Sequence, residues 1–197
     1  MARQRPEGAA PVVRAYAEAL PFADGSFAAA LAVLTIHHWS DWRAGVREMA
    51  RVSPRRVVLF TWDPQADATW LGDYFPHILA ADRQRFPTMG AIGEVLGEIE
   101  VVTVPIPHDC TDGFMGAYWR RPQAYLDPHV RSAISSLTTG VADDCLSRLA
   151  DDLRTGAWIS QHGHLLHREE LDLGYRLVIS HSRDRARGCA EPPREAE

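Results

Sequence analysis

The sequence has 197 residues, of which 46% are hydrophobic, and both values are typical of one globular domain. Its 21 basic and 26 acidic side chains give a formal net charge of −5 without a basic run, so we expect no nucleic-acid partner. Every basic residue is an arginine, which excludes enzymes that need a lysine for a Schiff base or for a phosphate-binding P-loop.

The first third of the sequence predicts a strand followed by a β-strand–helix–β-strand unit. Residues 11–15 are short and β-branched and predict a strand. The continuous apolar run at 28–36 predicts a strand buried on both faces, with a buried helix as the alternative because alanine favours helix. A helix is expected from an N-cap at Ser40 to Arg51. A second buried strand, VVLFTW at 57–62, then predicts a parallel crossover.

The rest of the sequence alternates between helical and strand patterns. Apolar residues at helical spacing predict helices over 70–79 and 92–99, followed by a strand at 101–106. Residues 107–170 read as an insert of loops and helices, and YRLVIS at 175–180 reads as a last strand. The domain is therefore expected to cover residues 1–182.

The remaining features predict a cytoplasmic protein with a disordered tail. The three cysteines lie far apart without a CxxC pair, which disfavours a zinc knuckle or a disulfide framework. No run approaches the ~20 apolar residues that span a bilayer, and the N-terminus has no signal-peptide core, so we expect no membrane partner. Residues 183–197 are charged and contain prolines, which predicts disorder.

The end of the predicted strand at 28–36 is the first candidate site. Thr35, Ile36, His37, His38 and Trp39 follow there, and ligands of open α/β sheets bind beyond the carboxyl ends of strands. The histidines offer a proton acceptor and the tryptophan an aromatic wall. The alternative is that the histidines cap the next helix and the tryptophan belongs to the core.

The loop over residues 17–27 is the second candidate site. The carboxylate of Glu18 stands beside the apolar Leu20 and Phe22, and a purine ring needs a polar acceptor next to an apolar slot. The alternative is a surface turn in which Leu20 and Phe22 fill the core.

A group of three histidines leaves a metal site open. In a strand His162 and His164 would share a face, a spacing that suits metal ligands, and His167 follows closely. Gly163 indicates a turn instead, and no cysteine or evident carboxylate partner is near, whereas structural zinc sites usually need four ligands.

Residues 17–52, AEALPFADGSFAAALAVLTIHHWSDWRAGVREMARV, resemble the class I S-adenosylmethionine-dependent methyltransferases. In the most similar branch the pattern is AEALPF-x-D-x-SFD, then an apolar strand that ends in HH, then a helix that ends in E-x-x-RV. The matching residues are Pro21, Phe22, Asp24, Ser26, Phe27, His37, His38, Glu48, Arg51 and Val52. The resemblance covers about the first third of the chain and weakens through residues 57–62.

The resemblance implies a Rossmann-like α/β sheet that binds S-adenosylmethionine, with residues 107–170 as a helical lid over a small-molecule substrate. It implies that the loop at 17–20 lies against the adenine and that the strand tip faces the methionine part and the substrate. The implied cofactor-binding residues are Ala17, Glu18, Ala19, Leu20, Thr35 and Ile36. His37 or His38 would be the base for a hydroxyl or amine acceptor during in-line methyl transfer.

Three departures from the family pattern shape the expectation. Tyr16 stands where an aspartate often neighbours the adenine, and Ala28 stands where the pattern has aspartate. The sequence has no GxGxG loop to hold the polar end of the cofactor. The family's third strand would fall at 11–15, so we predict an α/β fold that lacks its first two βα units.

This prediction has consequences for the sheet, the gene and the activity. The strand at 28–36 would become an exposed apolar edge that can self-associate. Either the upstream reading frame encodes the glycine-rich unit, or the gene is a decayed fragment. We therefore predict a methyltransferase domain that is inactive as this chain and does not measurably bind S-adenosylmethionine. The alternatives are a non-enzymatic remnant that pairs through its sheet edge, and a metal-dependent enzyme built on His162, His164 and His167.

Overall fold

A computed structural model describes residues 8–67, 69–138 and 143–180. Within these ranges four strands form the main sheet and two short strands form a second one. The strands are β1 (Ala30–Val33), β2 (Val57–Trp62), β3 (Ile99–Thr103), β4 (Ile106–Pro107), β5 (Glu170–Leu171) and β6 (Tyr175–Ser180). The helices are α1 (Trp42–Val52), α2 (Leu71–Tyr74), α3 (Pro76–Arg85), α4 (Met89–Leu96), α5 (Pro128–Ala133), α6 (Asp143–Thr155) and α7 (Ala157–His162).

The main sheet has the order β1-β2-β6-β3, and β4 pairs with β5. Strand β1 runs parallel to β2, whereas β6 is antiparallel to both of its neighbours, β2 and β3. Helix α1 connects the parallel pair, so the predicted parallel crossover and the α/β fold class are confirmed.

The core has two parts that lie against opposite faces of β2. Val57 and Leu59 point to one side and pack with α1 and α4, chiefly with Val46 and Ile92. Trp62 belongs to the other part, a larger cluster built on α2, α3 and the segments between β3 and β6. No helix of the described residues is long and apolar enough to cross a bilayer.

One strand prediction at the N-terminal side is wrong, and a second is confirmed only in part. Residues 11–15 form no strand, and Val12 and Val13 are each 54% exposed because no neighbouring strand pairs with them. The run at 28–36 contains only the four-residue β1, which lies at the sheet edge rather than between two covered faces. Leu31 is 64% exposed and Val33 54%, so the predicted exposed apolar edge is confirmed.

Other differences come from local backbone chemistry. The N-cap of α1 is Asp41 rather than Ser40, and its carboxylate accepts the backbone N–H of Ala44. The helix predicted over 70–79 divides into α2 and α3 because Pro76 starts a new helix. The strand predicted at 101–106 begins two residues earlier, at Ile99.

Residues 107–170 contain most of the irregular structure. Short 3₁₀ helices at Pro122–Leu126, Ser135–Leu137 and Gly163–His167 alternate there with α5, α6 and α7. The HGHLLH segment is therefore helical rather than extended. The tail predicted to be disordered, 183–197, lies outside the described residues.

Candidate active site

The loop that precedes β1 is fastened to helix α1 by two charged side chains. The carboxylate of Glu48 accepts the backbone N–H of Leu20 at 2.9 Å and the Nε of Arg51 at 2.7 Å. The Arg51 guanidinium donates to the carbonyls of Leu20 and Phe22 and to the carboxylate of Asp24. The E-x-x-R spacing of the helix thus sets the path of the loop. Arg51, followed by the Leu20 amide, lowers the pKa of Glu48 to about 2.

A hollow of about 300 Å³ lies between this loop and β1, and we call it the β1 hollow. Ala17, Leu20 and Thr35, three of the predicted cofactor-side residues, line it together with Trp39. The indole of Trp39 lies directly over Gly45 of α1, where a Cβ atom would overlap its ring. The hollow is therefore an apolar slot with one fixed aromatic wall.

The other predicted cofactor-side residues lie elsewhere. The Glu18 carboxylate accepts the backbone N–H of Asp41 at 3.0 Å, and this bond lowers the pKa of Glu18. Ala19 is exposed and donates its N–H to the carbonyl of Tyr16. The side chain of Ile36 is 1% exposed and belongs to the core under β1.

The two predicted catalytic histidines occupy different environments. Both lie on a 3₁₀ helix after β1, but His37 is partly buried and His38 is exposed. The His37 ring stacks on Phe86 with centroids 3.9 Å apart, and Phe86 in turn meets the Trp62 indole edge-on. Burial, reinforced by the charges of His38 and Arg85, lowers the pKa of His37 to about 4. His37 is therefore neutral at pH 7 and can accept a proton.

His37 lines a second space, a cavity of about 70 Å³, which we call the Asp82 cavity. Its walls are mainly apolar and aromatic, and they include Leu34, Phe86 and Tyr175. Asp82 of α3 is also in the lining and accepts the hydroxyl of Ser136 at 2.7 Å. Burial raises the pKa of Asp82, while the Ser136 bond and the Arg85 and His38 charges act against the rise.

A residue with a left-handed backbone conformation lies between the β1 hollow and the Asp82 cavity. Leu34 has φ 44°, in the left-handed region that non-glycine residues rarely adopt. Leu34 and His37 line the Asp82 cavity, whereas Thr35 between them lines the β1 hollow. The residues after β1 thus form a wall between two concave sites.

Sequence reasoning missed the Asp82 cavity, although one signal could have found it. Phe75, Leu79, Asp82 and Phe86 follow one another at i, i+4, i+7 and i+11, so the aspartate occupies a position of the apolar stripe. A carboxylate on the buried face of a helix is rare and indicates a specific role. Ser136, 54 residues further on, has no comparable signal.

The three histidines of the HGHLLH segment do not meet. His162 lies 3.4 Å from the carboxylate of Asp73, whereas His164 and His167 are exposed. The described part of the chain contains no group of three or more histidine, cysteine, aspartate or glutamate side chains that could hold a metal ion.

Comparisons with known proteins connect this geometry to a family. A sequence profile for a methyltransferase domain matches residues 1–60. A solved structure from Anabaena variabilis, described as a methyltransferase from an antibiotic biosynthesis pathway, is 36% identical. It aligns over 85% of this chain and 72% of its own, with a TM-score of 0.77. The chain belongs to the class I S-adenosylmethionine-dependent methyltransferases.

Two further solved structures align with a similar share of this chain, but with much lower sequence identity. A Bacillus halodurans protein described as a methyltransferase is 11% identical over 85% of this chain and 73% of its own, with a TM-score of 0.38. The YcgJ protein of Bacillus subtilis is 18% identical over 83% and 67%, with a TM-score of 0.35. No curated protein sequence matches the chain.

The β1 hollow of this methyltransferase suits one part of the family's cofactor and not the other. An apolar slot against the fixed Trp39 indole fits a purine ring. Thr35 contributes the hollow's one polar side chain, and the described lining has no charged side chain for the ammonium and carboxylate of a methionine moiety. The lining therefore offers apolar contact to the adenine ring and no charged partner for the methionine part.

Proposed function

We propose that this methyltransferase acts in S-adenosylmethionine-dependent methyl transfer to a small molecule. The observation that supports this proposal is the pair of concave sites on opposite sides of the wall at 34–37. The β1 hollow would hold the adenosyl part of the cofactor, which supplies the methyl group. The Asp82 cavity would hold the acceptor, since it is concave, largely apolar and lined by the neutral His37.

His37 is the residue we propose as proton acceptor. Its pKa of about 4 leaves the ring neutral at pH 7 but makes it a weak base, and the Phe86 ring stacks on the imidazole. Its Nδ1 is buried and has no hydrogen-bond partner among the described residues, so the ring has an unused hydrogen-bonding nitrogen. His38 is exposed and does not line the cavity, so we assign it no contact with the acceptor.

We also propose that the 197-residue chain alone binds S-adenosylmethionine weakly. The sequence has no GxGxG loop, and the hollow offers no charged partner to the polar end of the cofactor. Adenosyl contacts alone would give a Kd in the millimolar range, which corresponds to about −4 kcal/mol.

Titration of the isotope-labelled chain with S-adenosylmethionine, followed by NMR, tests both statements. We expect millimolar binding with shifts at Leu20, Thr35 and Trp39. Ala17→Trp should fill the hollow and abolish the shifts, whereas Ala23→Trp on the exposed side of the same loop should leave them unchanged. Shifts confined to other surfaces would refute the placement of the cofactor, and micromolar affinity would refute the weak binding.

A second candidate function is association of two copies of this chain through β1. The outer edge of β1 has no strand partner in the described residues, and Leu31 and Val33 are exposed beside it. The chain has a matched control at the opposite edge of the sheet, where Val101 of β3 is 42% exposed. In sedimentation experiments we expect concentration-dependent dimers that Val33→Lys abolishes and Val101→Lys preserves. A monomer at every concentration, or equal effects of the two variants, would contradict this candidate.

A further inference from the structure

The buried carboxylate of Asp82 has a single hydrogen bond from a side chain among the described residues, from the hydroxyl of Ser136. Asp82 is 6% exposed, and it lies on the stripe of α3 that also buries Leu79. An apolar side chain there would pack without the cost of removing a charge from water, which amounts to several kcal/mol when a charge is poorly compensated. A carboxylate retained at such a position is therefore a candidate for ligand binding.

The described residues compensate this carboxylate only in part. One donor, the Ser136 hydroxyl, bonds it at 2.7 Å, although an ionised carboxylate has about four acceptor sites. The guanidinium of Arg85 and the imidazole of His38 act on it through their charges without a hydrogen bond, and both side chains are exposed. Burial still raises the pKa of Asp82, so these groups do not fully offset the cost of removing the carboxylate from water.

The walls of the cavity favour a flat or compact apolar body with a positive charge. Phe86 meets Trp62 edge-on at 5.5 Å between centroids, and Phe114 meets Tyr175 edge-on at 4.9 Å. Aromatic rings attract cations through their faces, most strongly where water is excluded. A volume of about 70 Å³ leaves room for the amine end of a small ligand rather than for a nucleotide or a peptide.

We propose that Asp82, supported by Ser136, binds the ammonium group of a small apolar amine in the aromatic cavity. This assignment rests on the proposed function, for which it names the substrate class. The ammonium supplies the donors and the positive charge that the carboxylate lacks, and the apolar body of the amine contacts Phe86 and Trp62. A carboxylic acid of the same size is repelled, and a neutral alcohol satisfies one hydrogen bond without the charge.

Three probes of nearly equal size test the assignment: benzylamine, benzyl alcohol and benzoate. Each is titrated into the full chain without S-adenosylmethionine, and binding is followed by NMR and by the fluorescence of the tryptophans. We expect benzylamine to bind at least about tenfold more tightly than benzyl alcohol, in keeping with the strength of a charged hydrogen bond. Benzoate should not bind.

Substitutions identify the group that recognises the amine. Asp82→Asn should weaken benzylamine at least about tenfold and change benzyl alcohol less than about twofold. Ser136→Ala removes the supporting hydroxyl without touching α3 and should weaken benzylamine by a smaller factor. Asp109→Asn, at an exposed aspartate outside the cavity, is the matched control and should change neither ligand. Circular dichroism of each variant verifies the fold.

Several outcomes overturn the assignment. The assignment fails if benzylamine and benzyl alcohol bind with equal affinity, or if benzoate binds more tightly than benzylamine. It also fails if Asp82→Asn weakens all ligands equally, or if benzylamine does not bind at a concentration of about 20 mM. Because these titrations contain no S-adenosylmethionine, their failure would leave the cofactor experiment unaffected. Failure of the cofactor experiment would equally leave the amine site standing.

Discussion

The two sides of the wall at 34–37 are held together by different forces. On the β1 side, the loop is held by the part-buried charged side chains of Glu48 and Arg51, and much apolar surface remains in contact with water. On the Asp82 side, irregular segments are held by buried aromatic side chains whose polar atoms bond backbone carbonyls. Trp62 donates to Leu173 at 2.8 Å.

The same arrangement recurs through the Asp82 side. Trp70 donates to the carbonyl of Trp119, Trp119 donates to the carbonyl of Ile106, and the Tyr125 hydroxyl donates to the carbonyl of Met115. Two of the three accepting carbonyls, those of Trp119 and Met115, lie outside helices and strands, where a buried carbonyl needs a side-chain donor. The difference teaches that buried aromatic side chains hold the irregular segments of the Asp82 side, whereas charged side chains of α1 hold the loop of the β1 side. Four predictions follow from that contrast, ordered by the size of the expected effect.

Removal of one aromatic anchor should have the largest effect. Trp119 is fully buried, so we expect Trp119→Ala to lower the free energy of unfolding by about 3–5 kcal/mol in urea denaturation. Trp119→Phe keeps most of the burial and loses the bond to Ile106, which should cost about 1 kcal/mol. Tyr16→Ala, on the β1 side and 81% exposed, should change stability by less than about 0.5 kcal/mol. Similar losses of stability in Trp119→Ala and Tyr16→Ala would show that the Asp82 side does not depend on buried aromatic anchors more than the β1 side does.

Acid should lower the stability of the fold through protonation of His37. Its pKa in the folded chain is about 4, below the ordinary 6.5, so the unfolded chain binds more protons between these values. This contribution to stability is complete above pH 6.5 and is lost as the pH falls towards 4, by about 1–2 kcal/mol for a ring that is only partly buried. His37→Gln should remove this loss while His38→Gln retains it, as measured by urea denaturation at pH 7 and pH 4. An unchanged loss in His37→Gln would show that the ring is not buried as described.

The ion pairs of the β1 side should respond at lower pH and more locally. The folded-state pKa of Glu48, about 2, lies below its ordinary value of 4.5. Its contribution is therefore complete above pH 4.5 and is lost as the pH falls towards 2. We expect Glu48→Gln to release the loop at 17–27, seen as faster cleavage by a protease at neutral pH. Arg47→Gln, an exposed arginine on the same helix, is the control and should leave the cleavage rate unchanged.

The smallest effect should have the opposite sign. Burial raises the pKa of Asp82 above its ordinary value of 3.8. Above pH 3.8 the folded chain therefore keeps this proton more readily than the unfolded chain does. Stability contributed by this group therefore falls with increasing pH, and at pH 7 Asp82→Asn should raise the Tm. Asp109→Asn should not change it. A lower Tm in Asp82→Asn would show that the carboxylate stabilises the fold and is not retained for binding.

The sequence predicted the structure well where the residues of one strand or helix determine its conformation by themselves. Strands β2 and β6 were predicted with their observed ends because β-branched and aromatic residues run through each without interruption. The E-x-x-R pattern of α1 was recognised by resemblance, and the structure supplies its cause in the contacts with the loop.

The sequence was uninformative where the outcome depended on distant segments. Apolar residues at 11–15 look like a strand in isolation, but a strand needs a partner, and the described chain provides none. The Asp82 cavity joins α3 with Ser136, a pairing across 54 residues that no local period encodes. The different surroundings of adjacent His37 and His38 likewise arise from the position of Phe86.

The left-handed backbone at Leu34 bears on how the specificity of this methyltransferase can change. A residue with a side chain costs about 1–2 kcal/mol in that conformation, and glycine removes the cost. Leu34→Gly would relieve this strain while it deletes a side chain from the cavity wall, so the two effects on stability partly offset each other. If the Asp82 cavity holds the methyl acceptor as proposed, Leu34→Gly would enlarge the acceptor site at a reduced cost in stability.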